Sequence, residues 1–172
     1  AEILKHIEGR DTLNMKNKVG STALMIACKF QPLIISEMLK YKECKDTLNM
    51  ENNDGWTALM LACKYQPSVA IEILKHREDG GGSDSAGMDT LNMQSDDGWT
   101  ALMLACYYQL LAAIEILKHA GGIDTLNMTN NDGNTALMIA CECQPLAVAE
   151  ILKHKESNEN IFEISFAIMD IP

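Results

Sequence analysis

A five-residue word, DTLNM, recurs at residues 11, 46, 89 and 124, and the word TALM follows each copy at residues 22, 57, 100 and 135. Registered copies at a fixed period mean small supersecondary units stacked in a row, each too small to bury its apolar face alone. Leucines at corresponding places (Leu4, Leu39, Leu74, Leu117 and Leu152) are separated by 35, 35, 43 and 35 residues. The period is therefore 35 with one eight-residue insertion. The spacing predicts the end of a partial unit over 1–10 and units over 11–45, 46–88, 89–123 and 124–158. The second unit carries a Gly/Ser-rich insertion at about 80–87, and 159–172 form a C-terminal apolar segment. Because the chain opens inside a unit, it reads as an excerpt of a longer array.

Within a unit, Leu59, Ala62 and Cys63 follow the i, i+3, i+4 pattern of a helix with one buried face over Thr57 to about Tyr65, and Thr57 suits its N-cap. A second helix is predicted from Pro67, with Ala70, Ile73 and Leu74 as its buried stripe; Pro32 and Pro145 take the same first position. Lys75 and His76 close that helix, where cations favour the dipole. Asp54-Gly55, Asp97-Gly98 and Asp132-Gly133 precede the first helices and favour tight hairpins. The expected fold is an all-α repeat solenoid of stacked helix-turn-helix units with projecting β-hairpin loops.

The stretch DGWTALMLACKYQPSVAIEILKH resembles an ankyrin repeat, whose signature is a β-turn, T-P-L-H-x-A and two helices in about 33 residues. The resemblance covers residues 1 to about 158. The signature proline is Ala (23, 58, 101, 136), the histidine is Met (25, 60, 103, 138), and the glycine between the helices is Gln (31, 66, 109, 144). The resemblance implies that hydrogen bonds made by the family's histidine between neighbouring turns give way here to thioether packing.

The repeat accounts for a sulfur-rich composition of six Cys and eleven Met. Cys28, Cys63, Cys106 and Cys141 share one position, expected on the buried face of the first helix. Equivalent positions on packed helices lie roughly 8 to 10 Å apart, beyond the roughly 7 Å limit between disulfide-linked Cα atoms. Four thiolates so spread do not converge on one zinc ion. The thiols read as reduced core residues, which places the chain in an intracellular compartment, cytoplasmic or nuclear. His6, His76, His119 and His154 also form a column, read as helix-end caps, and Glu2, Glu37, Glu72, Glu115 and Glu150 form a solvated face beside the lysines. Gly80-Gly81-Gly82-Ser83 lacks the strand and the Gly-Lys-Ser/Thr of a phosphate loop. No nucleophilic triad signature is present. The expectation is a non-enzyme without cofactor, metal or small-molecule substrate.

Function then rests on the surface. With 14 basic and 24 acidic residues the net charge is -10, which disfavours nucleic acid and anionic membranes, and no apolar run reaches the roughly 18 to 20 residues of a membrane span. The family's partners usually lie against the concave face of hairpins and first helices, which by resemblance implicates Phe30, Asn53, Asp54, Trp56, Tyr65, Asp96, Asp97, Trp99, Tyr107, Tyr108, Asp132 and Asn134. Six of the nine aromatics fall in this set, with Trp56, Trp99, Tyr65 and Tyr108 expected as its anchor; local packing over neighbouring hairpins is the alternative role. Lys16, Lys18 and Lys29 lie near the first unit and Asp54, Asp96, Asp97, Asp132 and Glu142 beyond it. The expected partner is another protein with a basic and apolar segment. The alternative is a regulatory or targeting arm of a larger protein whose catalytic part is not in this chain. Residues 161–172, IFEISFAIMDIP, read as a capping helix, or alternatively as a strand or a segment docking elsewhere.

Overall fold

The computed structural model describes residues 10–79, 89–119 and 123–156. The start of the partial unit, the Gly/Ser-rich insertion and the C-terminal apolar segment lie outside the described residues, as do Glu2 and His6.

Each TALM word opens a first helix: α1 (Ala23–Phe30), α4 (Ala58–Tyr65), α7 (Ala101–Tyr108) and α9 (Ala136–Cys143). The cause is the same four times. Thr22, Thr57, Thr100 and Thr135 hold extended backbone, and their side-chain oxygens accept the N–H of Met25, Met60, Met103 and Met138 at 3.2 to 3.3 Å. Each cap satisfies one of the four orphan donors at a helix start. Each helix closes on Gln31, Gln66, Gln109 or Gln144, whose N–H bonds the carbonyl of Ala27, Ala62, Ala105 or Ala140. The substituted methionine also acts as a polar group in the first unit, where the Met25 sulfur accepts the Thr22 N–H at 3.4 Å.

Second helices follow as α5 (Pro67–Asp79), α8 (Leu110–Leu117) and α10 (Pro145–Glu156). The first unit departs from this pattern. Its Pro32 opens a 3-10 turn, Pro32–Ile34, followed by a one-turn α2 (Ile35–Met38) and, after extended backbone at Tyr41, a one-turn α3 (Lys42–Lys45). Successive β-branched Ile34 and Ile35 stand where the later units have Val69-Ala70, Ala112-Ala113 and Ala147-Val148. Crowding against the preceding turn weakens helix formation there. The DTLNM words add short turns, with α6 at Asp89–Asn92 and 3-10 turns at Arg10–Asn14 and Thr125–Asn127.

First helices stack on one another in chain order, α1 on α4 on α7 on α9, and second helices do the same from α5 through α8 to α10. Leu24, Leu59 and Leu102 are fully buried between layers, as are Met25, Met60 and Met103. Burying each such side chain contributes about 1.5 to 3 kcal/mol. The fourth layer corrects one expectation: Cys28, Cys63 and Cys106 are buried, but Cys141 is exposed. Met138 is exposed with it, because among the described residues no further first helix stacks on the outer side of α9.

Candidate partner-binding face

The hairpins that precede the first helices are built by an Asx pattern. Asn52 illustrates it: its side-chain oxygen accepts the N–H groups of Asp54 and Trp56 at 3.1 and 2.8 Å. Its own N–H and carbonyl pair with Trp56 and Gly55. Asn17 and Asn130 repeat this geometry, and Ser95 substitutes in the third unit by accepting from Trp99 at 3.1 Å. Such side-chain to backbone bonds favour turns over extended pairing. An isolated antiparallel bridge joins Thr129 to Thr135.

Successive hairpins are stitched together by main chain. The N–H of Asn53 bonds the Val19 carbonyl at 3.1 Å, that of Asp96 bonds Asp54 at 3.0 Å, and that of Asn131 bonds Asp97 at 3.1 Å. Side chains reinforce the stitch, with Asn53 Nδ2 on the Lys18 carbonyl, Asn131 Nδ2 on Asp96 and Gln94 Nε2 on Thr129. These amides connect neighbouring turns in a protein whose signature histidines are methionines. Asp54, Asp96, Asp97 and Asp132 are left exposed at the tips. Asn53 is exposed but its amide is used internally, and half-buried Asn134 closes the fourth hairpin.

Phe30, Tyr65, Tyr107 and Tyr108 at the ends of the first helices form one run with Trp56 and Trp99, which directly precede the N-caps Thr57 and Thr100. Trp99 meets Tyr107 edge to face at 6.0 Å between ring centres, and Tyr107 lies 4.6 Å from Tyr108. Lys64 Nζ lies over Trp56, Tyr65 and Tyr108 at 5.0, 5.5 and 6.0 Å, and Lys29 Nζ over Phe30 and Tyr65 at 5.1 and 5.3 Å. Phe30 is 62% exposed and the three tyrosines about 40%. Trp56 and Trp99 are half-buried and pack against the core, so each indole also has a structural role. The sequence places Lys29 and Lys64 on the same face as these rings, and the structure adds that their ammoniums lie over them. The available signal was their register, since Lys29, Lys64 and Tyr107 each directly precede a ring at one repeat position.

The buried thiols are chemically quiet. Burial pushes Cys28, Cys44 and Cys106 up to about 12, with Cys44 adding to the effect on Cys28, and raises Cys63 too. A thiol that stays protonated is a poor nucleophile and a poor metal ligand. No group of three or more His, Cys, Asp or Glu among the described residues is placed to hold a metal ion. The glutamate column pairs with the lysines as Glu37–Lys40, Glu115–Lys118 and Glu150–Lys153 at 2.6 to 3.0 Å. No helix among the described residues is long and apolar enough to cross a membrane.

Comparison with curated proteins finds no significant match. A family profile described as ankyrin repeats (3 copies) matches residues 1–84 and 81–163. Ankyrin repeats are generally protein–protein interaction modules and typically non-catalytic. With capped helix pairs, stitched hairpins and a profile match along nearly its whole length, the chain belongs to the ankyrin repeat family.

Proposed function

We propose that the four units, 11–45, 46–88, 89–123 and 124–158, present one continuous face that binds an extended segment of another protein in the cytoplasm or nucleus. The observation that carries this reading is the run of partly exposed rings from Phe30 through Tyr65 and Tyr108 to Trp99, crossing three successive first helices. Trp and Tyr supply large, stiff contact area with a polar handle and are enriched among residues that dominate binding energy. In this reading Trp56, Trp99, Tyr65 and Tyr108 anchor the partner, Phe30 and Tyr107 extend the strip, and Asp54, Asp96, Asp97 and Asp132 meet basic side chains. Asn53 and Asn134 shape the hairpins beside them. An open strip of this kind suits a polypeptide better than a small substrate, which needs enclosure.

The test is retention of a partner from cell extract by the intact chain and by Trp56→Ala plus Trp99→Ala, with melting temperatures matched. A protein held by the first and lost by the second supports the reading. Equal retention overturns it.

A further inference from the structure

In a chain with 24 acidic and 14 basic residues, a lysine readily meets a carboxylate. Lys40, Lys118 and Lys153 do so at or near the ends of the second helical segments. Lys29 and Lys64 are arranged differently. Both ammoniums lie over the same Tyr65 ring, at 5.3 and 5.5 Å from its centre, and each is steadied by further rings. Neither has a carboxylate within ion-pair distance among the described residues. A ring face attracts an ammonium but accepts none of its three N–H groups in a strong directional bond. Each lysine therefore keeps donor capacity that a carboxylate of a bound segment can use.

Register extends the argument along the face. At the position of Lys29 and Lys64 the third unit has Tyr107 and the fourth Glu142. At the hairpin tips Lys18 is followed by Asn53, Asp96 and Asn131, and Val19 by Asp54, Asp97 and Asp132. The charge therefore changes sign along the array, and the crossover lies in the second unit, where Lys64 and Asp54 occur together.

We propose that Lys29 and Lys64, which flank the Tyr65 ring, receive carboxylate side chains of the bound polypeptide. The bound segment is then acidic where it crosses the first two units and basic where it crosses the third and fourth. This rests on the partner-binding reading and narrows its basic partner to a segment of divided charge. A carboxylate suits two point-charge ammoniums that lack the planar fork of a guanidinium.

The experiment uses the intact chain and three dye-labelled 14-residue peptides with the same Leu and Trp positions. One has Glu in one half and Lys in the other, one has Lys throughout and one has Glu throughout. Fluorescence anisotropy at low salt is expected to show the divided peptide binding about fivefold or more tighter than the all-Lys peptide, on the scale of a few partly exposed charge pairs. Lys29→Met with Lys64→Met should bring those two within about twofold at an unchanged melting temperature, while Lys29→Arg with Lys64→Arg keeps the preference. Equal binding of the two peptides by the intact chain, or a preference that survives the Met substitutions, overturns the carboxylate site and leaves the aromatic face standing. Failure of all three peptides to bind overturns both. A gain above tenfold when phosphoserine replaces Glu overturns the choice of carboxylate.

Discussion

A β-carbon added at Gly55 would lie 2.9 Å from the amide nitrogen of Asp96, the same amide that bonds the Asp54 carbonyl. Gly133 has the same left-handed backbone, φ 82° against 76°, but nothing within 4 Å of the added carbon. The pair separates conformational strain from close approach. Gly133→Ala should lower stability by about 1 kcal/mol, the cost of a side chain in this region, and Gly55→Ala by about 3 kcal/mol or more because neighbouring main chain must move. Urea unfolding of both variants checks this; equal losses would mean that the hairpin stitch contributes nothing.

Leucines at one repeat position should differ by layer. Leu59 is fully buried and Leu137 only partly. Leu59→Ala should cost about 2 to 5 kcal/mol and Leu137→Ala about half of that, since the second site already meets solvent and leaves a smaller void. The comparison is read from denaturant midpoints at constant slope.

Removal of a helix cap should be local and reversible by chemistry. Thr57→Ala leaves the Met60 N–H without its acceptor in a buried setting and should cost about 1 to 2 kcal/mol. Thr57→Ser keeps the oxygen and should recover most of the loss. A Ser variant as weak as the Ala variant would assign the effect to the lost methyl group.

Thiol chemistry should divide the cysteines by position. Ellman's reagent at pH 8 should react quickly with exposed Cys141 and more slowly with half-buried Cys143, and reach Cys28, Cys44, Cys63 and Cys106 only on unfolding. Burial raises the folded values of Cys28, Cys44 and Cys106 from 9.0 to about 12. The unfolded chain therefore binds fewer protons above pH 9, and the stability these thiols contribute is complete below that point and lost as pH climbs toward 12. Alkaline melts should show this decline, and Cys106→Ala should flatten it. An unchanged slope would assign the decline to other groups.

The periodic parts of the fold were legible because each is encoded locally. Thr caps, the i, i+3, i+4 stripe from Leu59 to Cys63 and the Asp-Gly turns act within a few residues of themselves and recur in register. What was not legible depends on neighbours in space. Cys141 has the sequence context of Cys63 yet lies exposed, since its burial would require another layer. Ile34 and Ile35 satisfy an apolar pattern, but their shape shortens the helix that the pattern predicts. The aromatic set and the lysines beside it were identifiable from register, while the contact between Lys64 and Tyr108 was not, because Lys64 reaches that ring from a different repeat.

The main-chain stitch between hairpins has a metrical consequence. Because Asn53, Asp96 and Asn131 are joined to the preceding turns through backbone N–H groups, the interval between successive tips does not depend on which side chains the tips carry. The array behaves as a ruler whose graduations are set by the peptide backbone and whose markings are free to change. Sequence drift at the tips can then rewrite what is read without altering where it is read.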